Sequence, residues 1–296
     1  MTTVNQWIMA FPLMLYGFGF SAIMGQTSQD SVTTDSLMIS ENENNRNIQI
    51  SLWGEFYDES TLSQKDRSNF NSLFHIRQGF NLNWTPYVTL QAYLFYRYGK
   101  DMKRDFWNNR SETGIGFRSR FFEKVYLAWF IEYLRGLYHN IPENYPQPKE
   151  KTYMDFRTGL IFWYGWDTYY EPSKWASHPM IFWGDIYGDL TYYRKDRNNT
   201  IGYLQGKWGF HLLRVWTITI DGYAAAYLTK DKNKDYWNNY AEFGPGIWLQ
   251  PWIDLDLKFY IEWLRGTYFD IQGVDPNPDP QQYQDRKIGL LFWLGW

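Results

Sequence analysis

The sequence predicts an all-β protein, a transmembrane antiparallel β-barrel of about 12 strands built from two tandem repeats of about six strands each. Three observations predict it. A pattern recurs at a fixed offset of 130 positions: Trp53 and Trp183, Gly79 and Gly209, Glu132 and Glu262, Trp166 and Trp296, the KDR triplets from Lys65 and Lys195, and the WNN triplets from Trp107 and Trp237. From Asn47 onward apolar and polar residues alternate with a period of two, as in Val88, Leu90, Ala92, Leu94 and Tyr96 against Thr89, Gln91, Tyr93, Phe95 and Arg97. Connections are long and charged after the first, third and fifth strands of each repeat and short after the second and fourth, the asymmetry of barrels that cross membranes.

Each repeat is too small to stand alone. About eight strands are needed to close around a side-chain-filled interior, and an open sheet edge in lipid strands backbone groups at several kcal/mol each. The repeats, about 47–166 and 177–296, therefore complete one barrel, related by a pseudo-twofold axis along the membrane normal. The first-repeat strands fall near 47–58, 72–84, 87–98, 111–121, 124–136 and 154–166, and the second set follows 130 positions later.

The opening 25 residues, with an apolar core from Ile8 to Phe20 and small residues after it, read as a secretory signal, and 26–46 as a disordered polar lead-in. Beyond that segment no apolar run reaches the roughly eighteen residues of a spanning helix. Aromatic residues make up 21% of the chain, the usage of a protein with interfacial girdles. The chain has no Cys, which removes disulfides and thiolate chemistry, and a net charge of −3, which argues for no nucleic-acid partner. The last strand, with Ile288, Leu290, Phe292, Leu294 and Trp296 on one face, ends on an aromatic residue. That ending is similar to the C-terminal signal of bacterial outer-membrane barrels, which implies recognition by the barrel-assembly machinery.

If the apolar parity meets lipid, the other parity lines the lumen, where charge is tolerated. It carries Trp53, Glu55, Tyr57, Arg77, Tyr93, Arg97, Glu112, Arg118, Arg120, Glu132, Arg157 and Trp163 in the first repeat. The second carries Trp183, Asp185, Tyr187, Lys207, Tyr223, Tyr227, Glu242, Trp248, Gln250, Glu262, Lys287 and Trp293. The recurring acid and base positions read either as ion pairs that stiffen the wall or as a polar track for a solute. Arg97, Arg118 and Arg120 correspond to Tyr227, Trp248 and Gln250, so one half of the lumen reads as basic and the other as aromatic. Guanidinium forks suit carboxylate or phosphate and flat rings suit sugar faces, which points to an anionic or mixed saccharide.

Asp101, Asp105, Asn108 and Asn109, with Asp231, Asp235, Asn238 and Asn239, offer oxygen ligands for a hard cation, but these residues are also common turn formers and no metal-binding spacing accompanies them. None of the histidines, His75, His139, His178 and His211, is duplicated, and no nucleophile motif stands beside them. No catalytic residue, cofactor or metal is expected.

The run from Lys234 through Phe269 resembles the C-terminal barrel region of outer-membrane proteins of exopolysaccharide secretion and phage adsorption. The matching residues are Trp237, Tyr240, Glu242, Gly244, Glu262, Arg265, Gly266 and Tyr268, with Trp107, Glu112, Gly114, Glu132, Arg135, Gly136 and Tyr138 in the other repeat. The resemblance implies a bacterial outer-membrane conduit for a saccharide polymer or oligomer, with polysaccharide and periplasmic export proteins as partners. The helical-repeat region that precedes the barrel in those proteins is missing from this sequence. The other reading is a surface receptor or adhesion barrel, plugged by inward Trp53, Trp163, Trp183, Trp248 and Trp293, that works through its long loops.

Overall fold

The computed structural model describes residues 49–65, 69–85, 88–103, 107–122, 125–139, 148–169, 181–252, 255–271 and 281–296. The expected signal and the whole lead-in at 26–46 lie outside them, as does the expected link between repeats, 167–178, from residue 170 onward.

Twelve strands form one closed antiparallel barrel, each hydrogen-bonded to its sequence neighbours and the last to the first. The first repeat supplies β1 (Gln49–Ser63), β2 (Asn69–Thr85), β3 (Val88–Asp101), β4 (Arg110–Phe121), β5 (Tyr126–Tyr138) and β6 (Thr152–Tyr169). The second supplies β7 (Ile181–Tyr193), β8 (Asn199–Val215), β9 (Ile218–Asp231), β10 (Tyr240–Gln250), β11 (Asp256–Tyr268) and β12 (Gln282–Gly295). β2, β3 and β5 begin 130 positions before β8, β9 and β11. Closure runs through Glu55 to Ser63 of β1 against Gly295 to Lys287 of β12. Trp296 extends it by exchanging both backbone hydrogen bonds with Gly54. The Trp296 ring lies where a Cβ on Gly54 would stand, so a larger residue there would displace that ring.

Strands reach further toward the long-loop end than expected: β1 runs to Ser63 rather than 58, and β2 starts at Asn69 rather than 72. The inward face of the extra residues is polar, while Leu62 and Phe70 pair on the outer face beyond the polar interruption at Asp58 and Ser60. This shortens the connection after the first strand to residues 64–68.

Outward-facing Leu52, Phe80, Leu94, Ile115, Phe117 and Phe243 are all exposed, the reverse of a water-soluble sheet. Exposed Trp129, Tyr164, Phe182 and Phe210 sit on the same face toward the short-turn ends of their strands, and Trp216, at a short-turn tip, is almost wholly exposed. A closed barrel with an apolar outer belt and aromatic residues at its margin belongs in a bacterial outer membrane. No helix among the described residues is long and apolar enough to cross a membrane.

Candidate lumen site

The interior is organised around four carboxylates, two per repeat, each pair 130 positions apart. At mid-height stand Glu132 on β5 and Glu262 on β11, both 0% exposed. Glu132 accepts Arg97 Nη2 at 2.7 Å on both oxygens and the Tyr93 hydroxyl at 3.0 Å, with Arg77 Nη2 at 3.7 Å. Glu262 accepts the Tyr227 hydroxyl at 2.7 and 2.8 Å and the Tyr223 hydroxyl at 2.8 Å, with Lys207 Nζ at 3.2 Å. Arg77 on β2 and Lys207 on β8 each reach over a chord three strands wide, so the bonds cross the lumen as well as following the wall.

Small residues make these reaches possible. The Tyr93 ring lies over Gly116 and the Tyr223 ring over Gly246, each within about 2.5 Å of where a Cβ would stand. A ring laid over a glycine of the next strand fills the gap in the wall and sends its hydroxyl across to the carboxylate two strands away.

Toward the long-loop end, Glu112 accepts Arg157 Nη1 at 2.8 Å and the Tyr153 hydroxyl at 2.6 Å, with Arg110 Nε at 3.4 Å. Its counterpart Glu242 accepts Lys287 Nζ at 2.5 Å and the Tyr283 hydroxyl at 2.8 Å, with Lys65 Nζ at 3.3 Å.

Toward the short-turn end the two repeats differ. In the first repeat Arg118 lies over the Trp53 ring at 4.7 Å, donates to Gln91 at 2.5 Å and stands 3.7 Å from Glu55, which also pairs with Arg77. Arg120 lies 5.8 Å over Tyr126. In the second, Trp248 takes the place of Arg118 and stacks on Trp183 at 4.3 Å. Asp185 accepts the Trp163 indole N–H at 2.7 Å.

Every residue expected in the lumen falls on the inward parity. Of the two readings of the recurring charges, Arg97 and Arg118 fit the ion-paired one: Glu132 holds Arg97, and Glu55 and Gln91 hold Arg118. Trp163 and Trp293, expected as part of a plug, lie near the short-turn ends of their strands and are 42% and 46% exposed. Sequence reasoning missed Tyr153, Tyr283, Asp155, Asp285, Lys65 and Lys195 as members of these clusters. The 130-position repeat carries all three pairs and could have found them.

The loop acids and amides act as turn formers. Asp101 accepts Asn108 Nδ2 at 2.7 Å and Asn109 Nδ2 at 2.9 Å, and Asp231 accepts Asn238 Nδ2 at 3.0 Å and Asn239 Nδ2 at 2.7 Å. Among the described residues no group of three or more potential metal-ligating side chains occurs, and Asp105 and His178 lie outside them. His211 pairs with Asp221 at 2.6 Å, His139 stacks on Tyr98 at 4.8 Å, and His75 meets Phe95 edge-on.

No protein-family profile matches the chain, and no curated protein matches its sequence. Among solved structures, the β domain of the Bordetella autotransporter BrkA aligns at 12% identity over 82% of this chain and 98% of that one, with a TM-score of 0.38. An outer-membrane channel from Pseudomonas putida F1 aligns at 7% identity over 83% and 95%, TM-score 0.32. The translocator domain of the autotransporter NalP from Neisseria meningitidis aligns at 10% identity over 82% and 88%, TM-score 0.29. At these scores none bears on what this chain does, and its own strand pairing carries the fold.

Proposed function

We propose that the protein is an outer-membrane channel for saccharide units, closed at rest by the two mid-height carboxylate clusters. The observation that carries the closed state is the zero exposure of Glu132 and Glu262 inside a barrel whose short-turn mouth leaves Trp163 and Trp293 half in water. An aromatic vestibule thus leads from the short-turn side, the periplasmic one in barrels of this type, to a polar constriction. The buried indole N–H groups of Trp53, Trp183 and Trp248 have no acceptor among the described residues, which favours a guest with hydroxyl oxygens. Because Arg97 and Arg118 are already engaged by Glu132 and Glu55, the solute this lumen suits is uncharged rather than anionic.

Liposome swelling tests the reading. Wild-type protein should admit sized neutral sugars slowly. Tyr93→Ala and Tyr223→Ala, which empty the ring layer while leaving the ion pairs, should speed neutral sugars more than anions of equal size. Well-folded variants that stay impermeable would leave the second reading, a plugged surface receptor acting through its loops.

A further inference from the structure

The long-loop rim holds two tyrosine-lined cages, and each is filled by a lysine from the other repeat. Lys65, in the β1–β2 turn, places Nζ 3.9 Å from the ring centre of Tyr283, 4.3 Å from Tyr240 and 4.8 Å from Tyr268. It donates to the Tyr283 hydroxyl at 2.7 Å and pairs with Glu242 at 3.3 Å, while its backbone N–H donates to Asp285 at 2.8 Å. Those rings belong to β10, β11 and β12, so Lys65 bridges the seam where β12 meets β1.

Lys195, in the β7–β8 turn, does the same across the β6–β7 junction. Its Nζ lies 3.1 Å over Tyr153 and 4.3 Å over Tyr138, donates to the Tyr138 hydroxyl, and its backbone N–H donates to Asp155 at 2.9 Å. The copies differ at one wall. Where β10 offers the Tyr240 ring, β4 offers Arg110, and Glu112 is taken by Arg157 and Arg110. Lys195 thus has two rings and a neighbouring cation where Lys65 has three rings and a carboxylate.

We propose that these cages are ammonium-binding sites whose tethered ligands, Lys65 and Lys195, clasp the two junctions between repeats, the β6–β7 clasp being the weaker. Aromatic faces and a carboxylate around an ammonium are the chemistry that recognises alkylammonium groups, so a vacated cage accepts a free one. The inference concerns the rim and stands whether or not the lumen conducts.

Amide hydrogen exchange on the full chain in lipid vesicles tests it. In Lys65→Ala, rim-end amides of β1 and β12 should exchange about three- to thirty-fold faster, the range a cation over aromatic faces supports, with β3 and β4 unchanged. Millimolar methylammonium should restore most of that protection. Lys195→Ala should accelerate the β6–β7 rim by a smaller factor, and Arg110→Tyr should slow it. Exchange in Lys65→Ala that is unaltered, that rises throughout the barrel, or that methylammonium leaves unrestored would overturn the proposal, as would an Arg110→Tyr rim no slower than wild type.

Discussion

The two halves of the barrel share a backbone register and differ in what satisfies their central carboxylates. Around Glu132 the donors are two guanidiniums and one phenol; around Glu262 they are one ammonium and two phenols. The slot that admits each ring, Gly116 or Gly246, is the same in both. Position 97 or 227, Arg or Tyr, therefore changes the charge of the cluster without changing its geometry. A buried carboxylate needs its lone pairs filled, and either chemistry can do that.

The difference predicts unequal tolerance to losing the acid. Glu132→Ala leaves Arg77 and Arg97 buried without their shared partner and should cost about 3–5 kcal/mol of stability in urea unfolding from vesicles. Glu262→Ala leaves one ammonium and two phenols that remain neutral, and should cost about 1–3 kcal/mol. Equal losses would mean that the charge of the partners does not matter. The shared slot makes the opposite prediction: Gly116→Ala and Gly246→Ala each push a methyl into a tyrosine ring and should cost about 1–3 kcal/mol alike. A cost in only one half would show that the rings are held differently.

The smallest effect distinguishes the rims. Burial, and then the charge of Arg110, lower the Lys195 ammonium from its usual 10.5 to about 8. A released lysine keeps its proton up to about 10.5, so the clasped state gains on the released one as pH rises from about 8 to 10.5 and is level below 8. The groups around it are Arg110 and Glu112 on β4, Tyr138 on β5, and Tyr153, Asp155 and Arg157 on β6. Burial lowers Lys65 too, but Glu242 opposes that shift. Carbon NMR of the lysine Cε atoms should find the Lys195 midpoint near 8, and Arg110→Tyr, which removes the neighbouring charge, should raise it.

The strands and their facing were legible because period-two alternation is a local signal: Leu94 and Tyr96 point out and Tyr93 and Arg97 point in, as the pattern around them requires. Strand ends were less legible, since Asp58 and Ser60 interrupt the outward apolar set before Thr61 to Ser63 pair with Asn69 to Asn71, and Leu62 against Phe70 is the one apolar pair beyond that break. Partner choice was not legible at all. Arg97 meets Glu132 35 positions away and Lys65 meets Glu242 177 positions away, distances fixed by closure of the ring and by strand stagger rather than by spacing along the chain. Arg97 and Arg118 meet their acids on other strands for the same reason. Only a repeat-against-repeat reading of Tyr153 with Tyr283 and Lys65 with Lys195 would have exposed the rim cages in advance.

Single-channel current through wild-type protein in a planar bilayer tests the closed constriction most directly. A flat baseline interrupted by brief openings is the predicted record. A steady open current from fully folded protein would contradict a lumen sealed at Glu132 and Glu262.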